Sequence, residues 1–289
     1  MAVVVGVHGI AQQYRGGYQL EAAWLAALRD GLTAAGYAHT AQRLGPPDLR
    51  VAFFGDLFRP PGAMAAHGPA VTAADVTPGA ERDLLTALYE QAITVQPELA
   101  PPEGSMGPGR IAAQIVVAKL LTSSTFAGVA QKTLIGNVKQ AVRFLAEPDI
   151  KAKVLDRVSA LIDPDTRVLV GHSLGSVVAY EYLCAAPSSV RTLITLGSPL
   201  GVPNLIFDRL TPAPADGKGS WPQGISCWVN IAERNDVVPL RKTLAELFPP
   251  ADGTPGVVDR LVDNGDEPHA VERYLNAAAT GAAIGESLV

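Results

Sequence analysis

Short apolar runs punctuate the chain at intervals, and each is followed by a turn and then by a stretch with helical spacing. The runs are Ala2–Val7, Arg50–Phe54, Arg167–Val170, Val190–Leu196 and Cys227–Ile231, with a weaker one at Val257–Val262. Strand-length runs alternating with helical stretches are the pattern of βαβ units around a parallel sheet. "AVVVGV" and "VLITL" show no polar alternation, as expected for strands covered by helices on both faces. The reading is therefore an α/β fold, a mostly parallel sheet of about six strands with helices on both faces.

The helical stretches agree. Between Gln19 and Ala35, Trp24, Leu25, Leu28 and Leu32 fall on one face, and Gly36 follows as a residue that tolerates the positive φ of a helix end. Further on, Leu134, Ile135, Val138, Val142 and Leu145 form one stripe, and a helix from Asp149 to Ile162 has Val154, Leu155, Val158, Leu161 and Ile162 as its apolar face. Residues 60–149 break the rhythm with Pro/Gly/Ala-rich loops and amphipathic helices. They are read as a helical cap inserted after the second strand of a single domain spanning 1–289.

Composition narrows the function classes. Hydrophobic residues make up 48% and charged residues 18%, enough to bury a large core. The net charge of −5, without a dense Lys/Arg cluster, argues against nucleic acid as a partner. No basic flank precedes the first strand, and the stretch Ile111–Leu121 is interrupted by Gln114 and Lys119 and too short to cross a bilayer. A cytoplasmic protein without a transmembrane segment is the expectation. Cys184 and Cys227 fall on a helix and a strand and read as reduced, buried thiols. With no CxxC or HExxH pattern, no metal and no cofactor is expected.

The candidate chemistry lies in "RVLVGHSLGSVVAY". Gly-His-Ser-Leu-Gly is a weak pattern alone, but here it stands where a strand meets a helix. A nucleophile elbow requires that place: the turn strains the serine backbone, and Gly171 and Gly175 remove side chains that would collide. A phosphate-cradling turn is the competing reading. It lacks both the middle glycine of GxGxxG and the Gly-Lys-Ser/Thr of a P-loop.

A nucleophilic Ser173 needs a base, an acid to orient the base, and donors for the oxyanion. Of the five histidines, only His269 follows the serine at a distance that allows the order serine, acid, histidine. His172 is expected to pack beside the elbow. Asp236, in "CWVNIAERNDVVPL", lies past the end of a predicted strand and is the first candidate for the acid, with Glu233 and then Asp208 behind it. One oxyanion donor is expected from the amide of Leu174. The other is expected from Ile10 or Ala11, since "VVVGVHGIAQQ" runs a strand into His8-Gly9.

The set "VHGI", "GHSLGS", "LGSPLG", "ERNDVVP" and "PHAVERYL" resembles the lipase and esterase branch of the α/β-hydrolase superfamily, over roughly residues 1–13, 166–200, 226–240 and 257–275. The resemblance implies Ser173 as nucleophile, Asp236 as acid, His269 as base, and the amides of Ile10 and Leu174 as oxyanion hole. It also implies a small-molecule or lipid ester substrate. Relative to the full fold the chain opens on what would be the third strand, and its oxyanion loop has one glycine after His8. Since ligands bind at the C-terminal ends of strands, Asp56, Leu57, Phe58, Arg59, Leu200, Asn204 and Phe207 are candidates for the pocket, with Tyr14 near the oxyanion loop. The reaction class expected is ester hydrolysis through an acyl-enzyme. The same residues would serve a thioesterase or acyltransferase, and the reading from another class is a binding protein that keeps the fold without catalysis.

Overall fold

The six apolar runs form one sheet. In the computed structural model, which describes residues 2–59, 72–102, 111–126, 128–250 and 253–289, the strands are β1 (Val4–Val7), β2 (Leu49–Ala52), β3 (Val168–His172), β4 (Thr192–Leu196), β5 (Cys227–Glu233) and β6 (Val258–Val262). All pairings are parallel, in the order β2-β1-β3-β4-β5-β6. Side chains alternate between two cores: Val5, Leu169, Leu193 and Trp228 face one, while Val4, Val168, Ile194 and Val229 face the other. β6 is the exception. As an edge strand it is only partly covered, and Leu261 is exposed.

The second core lies under α1 (Gly17–Ala34), α2 (Ala38–Arg43), α8 (Val271–Leu275) and α9 (Ala278–Leu288). The first lies under α3 (Ala80–Val95), α4 (Ala113–Leu120), α5 (Gln131–Ala146), α6 (Pro148–Ser159) and α7 (Leu174–Ala185). α1 stops where the sequence predicts, with Gly36 at φ 89° just beyond it. On α5, Leu134, Ile135 and Val138 are buried as expected. The buried face then swings toward Ala141 and Phe144, leaving Val142 and Leu145 half-buried. α6 ends at Ser159, so Leu161 and Ile162 lie beyond its end and are half-buried. The inserted segment 60–149 falls partly outside the described residues, and its described part comprises α3, α4 and α5. Cys184 and Cys227 are free and half-buried. Among the described residues no helix is long and apolar enough to cross a membrane.

The order in which strands are added reverses at β1. From β1 the chain first adds β2 on one side and later β3 on the other, so the loops leaving β1 and β3 diverge and open a crevice at the C-terminal edge. Val7 pairs with Gly171, which sets His8 level with His172 and Gly9 level with Ser173.

On the opposite face α9 and α1 approach to backbone contact. A Cβ at Gly281 would stand 1.9 Å from the carbonyl oxygen of Gly31, and one at Gly31 would stand 2.2 Å from that of Leu275. Both obstacles are main chain, so no rotamer change relieves them. Gly281→Ala is expected to wedge α9 away from α1 and to lower unfolding free energy by about 1–3 kcal/mol. Urea denaturation checks this as a lower midpoint at unchanged slope.

Candidate active site

Ser173 joins β3 to α7 with φ 53° and ψ −129°, a conformation that costs a residue with a Cβ about 1–3 kcal/mol and persists only where packing enforces it. The enforcement is visible. Its amide donates to the carbonyl of Leu196 at 2.9 Å. A Cβ at Gly171 would lie 2.5 Å from Ser176 Cα, and one at Gly175 would lie 2.1 Å from the carbonyl oxygen of Val7. The two glycines therefore let α7 start against both β3 and the end of β1. Ser176 Oγ braces the turn, 2.6 Å from the Ser173 carbonyl and 2.7 Å from Ser198 Oγ.

His269 stands in the loop between β6 and α8, with Nδ1 2.6 Å from Asp236 Oδ2. Asp236, in the loop after β5, is fully buried, and a buried carboxyl requires partners. Tyr274 Oη donates to Oδ2 at 2.8 Å and the amide of Val238 donates to Oδ1 at 2.9 Å. Tyr274 in turn accepts from the Glu233 amide at 3.0 Å. Burial, followed by the nearby Asp236, pushes the Tyr274 phenol well up, so it remains a donor. Glu233 accepts from Asn235 in its own loop at 2.6 Å, and Asp208 from the amide of Asn204 at 2.5 Å, so of the three acids only Asp236 bonds to His269. Lys242 Nζ donates to the main-chain carbonyl of Asp236, and burial lowers its pKa.

His172 does more than pack beside the elbow. Its ring centroid is 4.8 Å from that of His269, and its Nε2 meets the carbonyl oxygen of His269 at 3.1 Å. Burial first, then the neighbouring His269, holds its pKa well below the usual value, so the neutral ring donates from Nε2 and pins the loop that carries His269.

His8 performs a comparable task on the other side. Its Nε2 accepts from the Phe54 amide at 3.1 Å, which leaves the ring proton on Nδ1 to donate to the Gly9 carbonyl at 2.6 Å. The carbonyl and N–H of a trans peptide point in opposite directions, so this bond turns the Ile10 amide away from His8. Among the described residues that amide has no acceptor, whereas the Ala11 amide donates to Gln140 Oε1 on α5 at 3.3 Å. The Leu174 amide opens α7 and has no carbonyl one turn back. Gly9 lies so close to the elbow that a Cβ there would be 2.8 Å from Ser173 Cβ.

Ser173, His269, Ile10 and Leu174 line one cavity of about 270 Å³, closed over by Leu84 and Leu88 of α3 and by Leu134 and Val138 of α5. Among the described residues no hydrogen bond joins Ser173 Oγ to His269. None of the residues expected to form the pocket lines this cavity. Tyr14 is exposed, and Asp56 pairs with Arg157 at 3.1 Å. Leu57 packs against the first core, and Phe58 is buried under the Arg143 guanidinium. Arg59 reaches the Gln13 carbonyl at 2.5 Å. Leu200 is a core residue, while Asn204 and Phe207 border a separate groove beside α3. Proximity to a strand end put these residues at the correct edge of the sheet. Packing turned their side chains elsewhere.

The structure adds residues that sequence reasoning missed. Tyr274 lies in the quoted "PHAVERYL" segment, whereas Gln140 is one of several polar residues on the amphipathic α5, and nothing in the pattern marked it as the buried one. The leucines of α3 carried none, since core and cavity leucines look alike.

The family described as a PGAP1-like alpha/beta domain matches residues 150–213, from α6 through the elbow and β4 to the loop beyond it. No curated protein and no solved structure matches the chain.

Burial lowers the pKa of His8 from 6.5 to about 4, so the folded protein keeps the ring neutral where the unfolded chain binds a proton. Stability from this source is complete above pH 6.5 and is lost as pH falls toward 4. Unfolding free energy is expected to drop between pH 7 and 4.5 by about 2 kcal/mol more in the wild type than in His8→Gln, which cannot titrate. Chemical denaturation of both proteins at the two pH values measures the difference.

Proposed function

We propose that the chain is a serine hydrolase of the α/β-hydrolase superfamily, cleaving carboxylic esters through an acyl-enzyme, a reading supported by the family match over residues 150–213. The observation that carries the reading is the 2.6 Å contact of His269 Nδ1 with the buried Asp236, beside a serine held at positive φ on the wall of the same cavity. With Nδ1 engaged, Nε2 of His269 is the nitrogen left to take the proton of Ser173 as Oγ attacks the ester carbonyl. The oxyanion accepts from the amides of Ile10 and Leu174, a donor pair of which each member contributes about 3–4 kcal/mol of barrier lowering. Collapse of the tetrahedral intermediate returns the proton from His269 to the departing alkoxide. Water then repeats the sequence on the acyl-enzyme. Asp236 orients the imidazole and stabilises its charged form without taking the proton.

Residues 60–149 act in this reading as a lid-like cap, supported by the contribution of Leu84, Leu88, Leu134 and Val138 to the cavity wall. The bond from Ala11 to Gln140 ties the cap helix α5 to the oxyanion loop. That bond also favours Ile10 over Ala11 as the donor, since the Ala11 amide is occupied.

A fluorophosphonate probe is expected to label the wild-type protein and to leave Ser173→Ala unlabelled, read by intact mass. Absence of wild-type labelling under conditions that modify a control hydrolase contradicts the reading. Tyr274→Phe removes one donor from the buried Asp236 and is expected to slow labelling about tenfold while leaving Ser173 the modified residue, checked by time-resolved labelling and peptide mapping.

A further inference from the structure

Gln140 is a polar residue on the buried face of α5, 6% exposed alongside Leu134, Ile135, Val138, Ala141 and Phe144. Burying an amide costs stability unless its groups are paired, and an apolar side chain of the same length would fill that place without the cost. Both hydrogen bonds that Gln140 makes among the described residues go to one loop. Its Oε1 accepts from the Ala11 amide at 3.3 Å, and its Nε2 donates to Gln13 Oε1 at 3.2 Å. That loop is the one carrying Ile10.

What these bonds hold is a strained turn. Ala11 stands at φ 68°, the left-handed region that a residue with a Cβ leaves unless something retains it. The least disruptive escape is a flip of the Ile10–Ala11 peptide, which changes ψ of Ile10 and φ of Ala11 together. Such a flip swings the Ala11 N–H away from Gln140 Oε1, so the bond opposes it. On the other side of Ile10, the Gly9 carbonyl accepts from His8 Nδ1 at 2.6 Å. Both peptides that flank Ile10 are thereby fixed, one from the sheet and one from the inserted segment, and with them the direction of the Ile10 amide. Farther along, Arg59 Nε donates to the Gln13 carbonyl at 2.5 Å, and a Cβ on Gly55 would stand 2.5 Å from the Gln12 carbonyl oxygen. Those contacts hold the outer half of the loop and leave Ala11 to Gln140. The same helix gives Leu134, Val138 and Ala141 to the cavity wall, so the oxyanion loop and the ligand space are joined through α5.

We propose that Gln140 is a positioning residue of the oxyanion hole: by retaining Ala11 at positive φ it keeps the Ile10 amide directed at the reacting centre, so turnover depends on how α5 is seated. This rests on the reading of Ser173 as the nucleophile and adds to it a control exerted by the inserted segment.

The test compares 4-nitrophenyl butanoate with its thiono counterpart, in which sulfur replaces the carbonyl oxygen. Sulfur accepts hydrogen bonds weakly, so the rate ratio of oxo to thiono ester reads the hole and not the pocket. The wild type is expected to favour the oxo ester. Gln140→Met keeps the length of the side chain and loses the acceptor. It is expected to lower kcat on the oxo ester about tenfold with KM within about twofold, and to shrink the ratio about fivefold. Gln140→Glu keeps an acceptor within reach of the Ala11 amide and is expected to recover most of both. Gln13→Leu removes only the second bond and is expected to shrink the ratio about twofold; as a loop substitution it stands even if Gln140→Met does not fold. A ratio unchanged in these variants overturns the proposal even where kcat falls, since a merely structural residue behaves that way. A rise in KM at constant kcat, or a loss in Gln140→Glu equal to that in Gln140→Met, overturns it too. Fluorophosphonate labelling reads the same dependence without ester turnover, because the phosphoryl oxygen occupies the hole: about tenfold slower labelling of Gln140→Met supports the proposal and an equal rate overturns it. An unlabelled wild type would sink the hydrolase reading itself. Normal wild-type labelling, with ratio and rate unchanged in the variants, would sink the Gln140 assignment alone.

Discussion

Ser173 holds a backbone conformation that a free chain would abandon, and the parallel pairing of β1 with β3 is what keeps it there. Because Val7 is registered with Gly171, the end of β1 runs directly beneath the turn, and its carbonyls crowd Gly175. The turn cannot relax without breaking that pairing or driving α7 off the sheet. The same register delivers Gly9 against Ser173, so the strained residue and the loop that carries Ile10 reach the cavity together. A rigid scaffold storing local strain where the strand order reverses is a general feature of sites built on open α/β sheets.

Around this turn, polar groups are buried in numbers that an apolar environment tolerates only when each has a defined partner. Asp236 receives bonds from His269, Tyr274 and Val238, which between them fix both its oxygens. Two further histidines are kept neutral by burial and act as struts: His8 ties the loop of β1 to Phe54, and His172 holds the carbonyl of His269. Behind them Asn230 and Asp259 anchor the chain that returns from Asp236, through Lys242, Leu244 and Ala245. The loops at this edge are thus positioned by networks that reach back into the sheet. The cavity is the gap left among them, lined by residues of α1, α3, α5 and α8.

Much of this was legible in the order of residues. Hydrophobic periodicity located the strands to within a few positions because a strand covered on both faces must be continuously apolar, and that constraint is local. The elbow was legible for a similar reason: a strained turn between strand and helix demands small residues at fixed offsets. The pairing of Asp236 with His269 was reached from chain order, as the geometry of the sheet allows few alternatives. Pocket residues were not legible, and Phe58 and Leu200 show why. Both lie near strand ends at the correct edge, yet their side chains turn into the first core.

By itself, then, the sequence determined what depends on neighbours in the chain: the βαβ rhythm, the glycine-flanked serine, and an acid and a histidine in an order that a parallel sheet can bring together. Only the tertiary structure decided what depends on contacts between distant segments. It chose Asp236 over Glu233 by giving one a bond to His269 and turning the other into its own loop. It engaged the Ala11 amide with Gln140 and left that of Ile10 without an acceptor among the described residues. It also drew Ile10, Leu84 and Leu134 to one cavity from a loop and two helices of the inserted segment. Side-chain direction at such places is set by packing from all sides at once, and no local pattern along the chain encodes it.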